Sequence, residues 1–101
     1  MAQTFDVISP IDGRVHVTRP HATDEELSAA LDRAALAQRS WAHTPLAERR
    51  DAVGRMVDLL VAQSEEAALE LTWQMGRPIR YAPGEIAGFA ERGRSMMAAA
   101  E

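Results

Sequence analysis

His16, His21 and His43 are the only imidazoles in the chain, and none shares a helical turn with a second histidine or a carboxylate in metal-binding spacing. His16 falls on the outward side of a predicted strand and His43 at a helix end, so both read as surface or capping residues. Glu65, Glu66, Glu70, Glu85 and Glu91 are candidates for general acid–base work. That role needs a cleft and a shifted pKa. Glu65 and Glu66 suit the positive end of a helix dipole better. Glu91 with Arg92 or Arg94 reads as a solvated face. Glu85 follows Pro83-Gly84 at a helix start, where capping is its expected role.

Nucleophilic and nucleotide chemistry are harder to place. The chain has no cysteine, which excludes disulfides, thiolate metal sites and a thiolate nucleophile among these 101 residues. All eleven basic residues are arginine, so Gly76-Arg77-Pro78 cannot be a Walker loop, which needs Lys-Ser/Thr. Gly84, Gly88 and Gly93 do not form GxGxxG, and no buried strand precedes them. Trp41 and Trp73 read as core or interface residues. Met56, Met75, Met96 and Met97 read as packing.

Fifteen acidic residues against eleven basic ones leave a net charge of −4, with the arginines dispersed, which gives little reason to bind nucleic acid. No apolar run approaches the ~20 residues of a membrane span, and Met1-Ala2-Gln3-Thr4-Phe5-Asp6 lacks the basic start and apolar core of a signal peptide. The expected address is a reducing cytoplasm. A domain of this length should bury roughly 60–70% of its unfolded surface. With 5% aromatic residues, its core must be mostly Ala, Leu, Val, Ile and Met.

The elements that would position these residues are legible in order. Phe5, Val7 and Ile8 precede Ser9-Pro10-Ile11-Asp12-Gly13, and Val15 and Val17 follow in strict alternation, which predicts a β-hairpin over 4–18. Thr23-Asp24-Glu25-Glu26 is a capping box. It opens a helix near 24–42 with Leu27, Ala30, Leu31, Ala34, Gln38 and Trp41 on one face. Thr44 as N-cap and Pro45 at the first helical position predict a helix over 45–62, with Val53, Met56, Val57, Leu60 and Val61 apolar. A third helix, 65–75, carries Ala68, Leu71, Thr72 and Met75 and ends at a left-handed Gly76 before Pro78. Pro83-Gly84-Glu85 opens a fourth, 84–100, with Ile86, Phe89, Ala90, Gly93, Met97 and Ala100 on its buried face. It reaches Glu101 without a stop signal, as if the chain were cut short. The expected class is mostly α, a hairpin followed by about four helices.

This series resembles one family. Ser9-Pro10-Ile11-Asp12-Gly13-Arg14-Val15 resembles the N-P-x-T-G-x-V opening of aldehyde dehydrogenases. The helix from Ala22-Thr23-Asp24-Glu25-Glu26 to Trp41 resembles their first helix. Thr44-Pro45-Leu46-Ala47-Glu48-Arg49-Arg50 is similar to their x-P-x-x-E-R segment. Glu70 to Pro78 resembles E-x-x-x-x-x-G-K-P, with Arg77 where lysine is usual, and Glu85-Ile86 matches the E-V that follows. Ser9, Asp12, Arg77 and Trp73 are departures that blur the subfamily.

The resemblance implies that residues 1–101 are the N-terminal scaffold segment of an α/β aldehyde dehydrogenase fold. It implies NAD(P)-dependent oxidation of an aldehyde to an acid by a cysteine, an oxyanion-holding Asn and a water-activating Glu, all outside this chain, with NAD or NADP in the full-length relative. It implies as partners the remainder of such a chain and a homodimer or homotetramer. It further implies a structural monovalent cation held by the Val7 and Ile8 carbonyls and the Glu85 carboxylate. A free-standing helical interaction module, or the product of a decayed gene, is the alternative reading of the same residues.

Overall fold

Alternating residues around a glycine turn build the first element, as their pattern predicts. The computed structural model describes residues 3–100. Strands β1 (Thr4–Ile8) and β2 (Val15–Pro20) form an antiparallel hairpin, two residues longer at its end than expected. The turn is held from within. The Ser9 N–H donates to the Arg14 carbonyl and the Gly13 N–H to the Ser9 carbonyl, each at 2.8 Å. Gly13 takes φ +73°, and the Asp12 carboxylate accepts from the Arg14 N–H at 3.0 Å. Across the strands the Thr18 hydroxyl donates to Asp6 at 2.6 Å. The ladder has one irregularity: Val7 pairs with Val17 but Ile8 with Val15, leaving His16 as the extra residue of a β-bulge.

Helix α1 (Asp24–Trp41) begins at the expected capping box. The Thr23 hydroxyl accepts from the Glu26 N–H, and the Glu26 carboxylate from the Thr23 N–H. Helix α2 (Leu46–Ala62) corrects the expected cap. Pro45, not Thr44, is its N-cap, and the Thr44 hydroxyl donates backward to the Ser40 carbonyl at 3.3 Å. The hydroxyl is drawn to a carbonyl in the last turn of α1, which also accepts from the His43 N–H at 3.1 Å and has a second lone pair within reach. Helix α3 (Ser64–Met75) starts one residue after Gln63, with Glu65 and Glu66 in its first turn. Helix α4 (Ala82–Ala99) starts two residues before Gly84, with Tyr81 as N-cap and Pro83 in its first turn. Pro83 lacks only an N–H that the first turn would leave unpaired anyway. Glu101, the expected abrupt end, lies outside the described residues.

The core is small. Helices α2 and α3 both pack on α4, and Val57, Ala68, Ala82, Ile86 and Ala90 are buried there. A Cβ at Gly93 would stand 3.0 Å from Val57 Cγ2, so the missing side chain lets α2 and α4 approach closely. The expected faces are only partly covered. Phe89 is 40% exposed, and Met56 and Met75 more so, because no layer lies over that side of the helices. Helix α1 contains no buried residue.

The molecule is a slab of 48 × 39 × 17 Å with a radius of gyration of 17.7 Å, against about 13 Å for a compact domain of this length. Its accessible surface is 8029 Å². A globular chain of this mass exposes about 5,700 Å². The expected 60–70% burial is therefore not reached. The chain buries about half of its unfolded surface, because among the described residues α1 has no buried residue and little packs on the outer faces of the hairpin.

Gly76 ends α3 at φ +74°, and its N–H donates to the Thr72 carbonyl at 2.9 Å. A Cβ there would meet Pro10 Cγ at 2.9 Å. Gly76→Ala should therefore lose about 1–2 kcal/mol to left-handed strain and more to the collision with Pro10. Gly88 lies inside α4 with open space where its Cβ would be, so Gly88→Ala should gain about 0.5–1 kcal/mol. Urea unfolding midpoints of the two variants should move in opposite directions.

Candidate functional site

The chemistry-bearing side chains meet where the hairpin crosses α3. The β-bulge gives both His16 and Val17 half-buried positions, which strict alternation would deny one of them. His16 thus faces α3 rather than solvent, which corrects its expected outward placement. His16 Nε2 lies 2.9 Å from Glu70 Oε2, and its ring stacks on Trp73 with centroids 5.9 Å apart and planes 4° from parallel. The Gln74 amide donates to the same Glu70 oxygen at 2.7 Å, one helical turn along. The hydrogen bond from Gln74, then that from His16, holds the Glu70 carboxyl below its ordinary value. Burial opposes them, and the charges of His16 and Arg19 assist.

The second junction lies a few residues on. Ser9, 1% exposed, uses its hydroxyl to accept from the Ile11 N–H at 3.2 Å, and Pro10 rests on Gly76. The Thr72 hydroxyl donates to the Arg77 carbonyl at 2.8 Å, fixing the chain as it leaves α3. Arg77 then reaches Glu85, with Nη2 to Oε1 at 2.8 Å. Glu85 therefore does not cap α4: that helix has no side-chain cap. A guanidinium is a better partner for a carboxylate than a single backbone N–H at a partly solvated helix end. For a cation at Val7, Ile8 and Glu85, the consequence is that Glu85 already faces one positive charge.

The other sequence candidates stay apart. His21 lies against Phe5 with centroids 4.9 Å apart and the rings tilted by 39°, and His43 Nδ1 lies 2.8 Å from the Arg39 carbonyl. Glu65 and Glu66 border an open groove with Ser64, and Glu91 borders another with Arg94 and Ser95. Arg94 also pairs with Asp58 at 3.2 Å. Gly84, Gly88 and Gly93 lie inside α4, so they offer no loop of free N–H groups for a phosphate. Among the described residues no three His, Cys, Asp or Glu side chains converge as a metal set, and no helix is long and apolar enough to cross a membrane. Sequence reasoning missed the His16–Glu70–Trp73 clasp and the Arg77–Glu85 pair. The unusual Trp73 was the one available signal.

Glu70 gives a pH prediction with a definite sign. Its folded value is lowered, so its contribution to stability is present above the unfolded value near 4.5 and is lost as pH falls through the folded value. Unfolding midpoints measured from pH 6 down to pH 3 should fall more steeply in the native chain than in Glu70→Gln. Equal slopes would remove Glu70 from the clasp.

Comparison with known proteins agrees with the order of motifs. The aldehyde dehydrogenase family matches over residues 1–101. A succinate-semialdehyde dehydrogenase of Paenarthrobacter nicotinovorans is 45% identical over 74 residues, which cover 73% of this chain and 16% of that protein. An aldehyde dehydrogenase of Deinococcus radiodurans is 35% identical over 78 residues, covering 77% of this chain and 15% of that one. From the same organism, a succinate-semialdehyde dehydrogenase [NADP(+)] is 32% identical over 83 residues, covering 82% and 17%. The chain thus spans about a sixth of the length of these curated relatives. No solved structure gives a match. On the family match and these identities, the chain belongs to the aldehyde dehydrogenase family and carries the features of its N-terminal portion.

Proposed function

We propose that residues 1–101 serve as the N-terminal scaffold of an NAD(P)-dependent aldehyde dehydrogenase, working in the cytoplasm, and that they hold no catalytic residue. The observation that carries this is the family match over a chain that contains no cysteine. Oxidation of an aldehyde through a covalent thiohemiacetal needs a thiolate nucleophile, and none of these residues can supply one. The cofactor, when bound to a full-length relative, supplies the hydride acceptor. This chain contributes position: a hairpin clasped on α3, and a slab whose bare faces need a further layer.

The bare faces support the same reading. About 2,300 Å² of surface beyond that of a globule of this mass is enough for the remainder of a family-length chain to pack on. A homodimer or homotetramer of the complete enzyme belongs to this proposal. So does a monovalent cation at the Val7 and Ile8 carbonyls, which would share Glu85 with Arg77. Two of the relatives are named for succinate semialdehyde, but the aldehyde is chosen by residues outside this chain.

Two measurements test the proposal. The purified 101-residue chain should give no aldehyde-dependent absorbance change with NAD or NADP. Turnover above a blank would overturn the non-catalytic role. A chimera in which this chain replaces the matching segment of the Paenarthrobacter relative should fold and keep aldehyde oxidation within about tenfold of the parent, as volume-conserving replacement of a related core allows. A soluble, folded chimera without activity would refute the scaffold role.

A further inference from the structure

His16 ties the hairpin to α3 through a ring that can gain or lose a proton. Among the described residues the strands form no broad packing with any helix. The hairpin rests on α3 at two points, Pro10 against Gly76 and His16 against Glu70 and Trp73. The first contact is apolar and blind to pH. The second joins an imidazole to a carboxylate and an indole, and all three groups lie within this chain.

The geometry fixes what a change of protonation alters. An ionised carboxylate only accepts, so His16 Nε2 carries the hydrogen in its 2.9 Å contact with Glu70. A second proton therefore goes to Nδ1. The contact keeps its shape while the ring becomes a cation, and the attraction of opposite charges is added to a hydrogen bond already made. The Gln74 amide holds the same Glu70 oxygen from the other side at 2.7 Å, which keeps the carboxylate in place. The His16 and Trp73 planes lie 4° from parallel with centroids 5.9 Å apart. That is within the ~6 Å over which a cation is drawn to an indole face.

The other charges around the clasp are fewer or more distant. Burial opposes a charge on His16, whose side chain is 24% exposed. Arg19, on the same strand, is a like charge that acts on Glu70, but among the described residues it makes no ion pair. On β1 the one titratable group is Asp6, which accepts from the Thr18 hydroxyl. On α3, Glu65 and Glu66 lie in the first turn, a helical turn or more before Glu70. The two groups that touch the imidazole, Glu70 and Trp73, both favour its charged form.

We propose that His16, Glu70 and Trp73 form a pH-sensitive latch, in which a proton gained by the His16 ring tightens the hairpin on α3 and its loss slackens that hold. The latch does not rest on the aldehyde dehydrogenase chemistry. Its sign follows from linkage. The imidazole's part is present in mild acid and is lost as pH rises through the histidine range. The Glu70 part is present above its unfolded value and is lost as pH falls through the lowered folded one. The hold is therefore greatest between the two.

Urea unfolding of the 101-residue chain at about pH 8.5 and about pH 6, on either side of the ordinary histidine value, tests this. Circular dichroism confirms helix content in each variant. His16→Gln should lower the folding equilibrium constant by a factor at least twofold greater at the lower pH, the size of effect a half-exposed ion pair allows. Because His21 and His43 remain, the comparison isolates His16. Glu70→Gln, whose carboxylate is ionised at both pH values in the native chain, should show the same excess loss at the lower pH and serves if His16→Gln does not fold. The double variant should lose no more at the lower pH than at the higher. A second readout is local: in a Trp41→Phe background, Trp73 emission should drop as pH falls from about 8.5 to about 6, since a protonated imidazole quenches a stacked indole, and His16→Gln should abolish the drop. Equal losses at the two pH values overturn the latch. So does a larger loss at the higher pH, or a Trp73 transition that survives His16→Gln.

Discussion

The seating of Pro10 on the left-handed backbone of Gly76 is the constraint on which the arrangement depends. A helix that ends in this conformation turns its chain sharply, and only a residue without Cβ leaves room for a ring beside it. That close approach brings the hairpin turn against the end of α3. It also sets the strand that carries His16 across Glu70 and Trp73, one to two helical turns earlier. The Thr72 hydroxyl and the Arg77–Glu85 pair then hold the segment leading from α3 into α4. A short hairpin is marginal by itself in water, and these contacts give it something to rest on.

The core beyond this junction is thin for a reason of geometry. Three helices side by side in a slab 17 Å thick can bury only the residues between them. Val57, Ala68, Ala82, Ile86 and Ala90 meet that condition, and Gly93 admits the tightest part of it. Residues on the outer faces have the same apolar character but no opposing layer. Burial is a property of two surfaces, so an apolar stripe without a second surface adds little stability. The chain spans about a sixth of the length of its curated relatives.

Polar contacts in this chain are mostly local and half-exposed. The Glu70 carboxylate is the exception in organisation. It receives a donor from its own helix, Gln74, and one from a strand 54 residues away, His16. Two donors on one oxygen favour the charged form, and the balance over burial is what lowers its pKa. The arrangement orients side chains.

Local chemistry determined much of the fold in advance. The capping box at Thr23, the Asp12–Gly13 turn, the acidic start of α3 and the left-handed Gly76 each depend on a few neighbouring residues. Their sequence signals were therefore sufficient. So was the family resemblance, which rests on short motifs in order. Competition between partners was not legible. Thr44 had the Ser40 carbonyl of α1 within reach, and Glu85 had Arg77, so neither took the cap its position suggested. His16 was hidden by a bulge: alternation counts residues in sequence, while a bulge places two residues opposite one. Which apolar faces are covered was also decided in three dimensions, because periodicity marks a face as apolar but carries no information about what lies across from it.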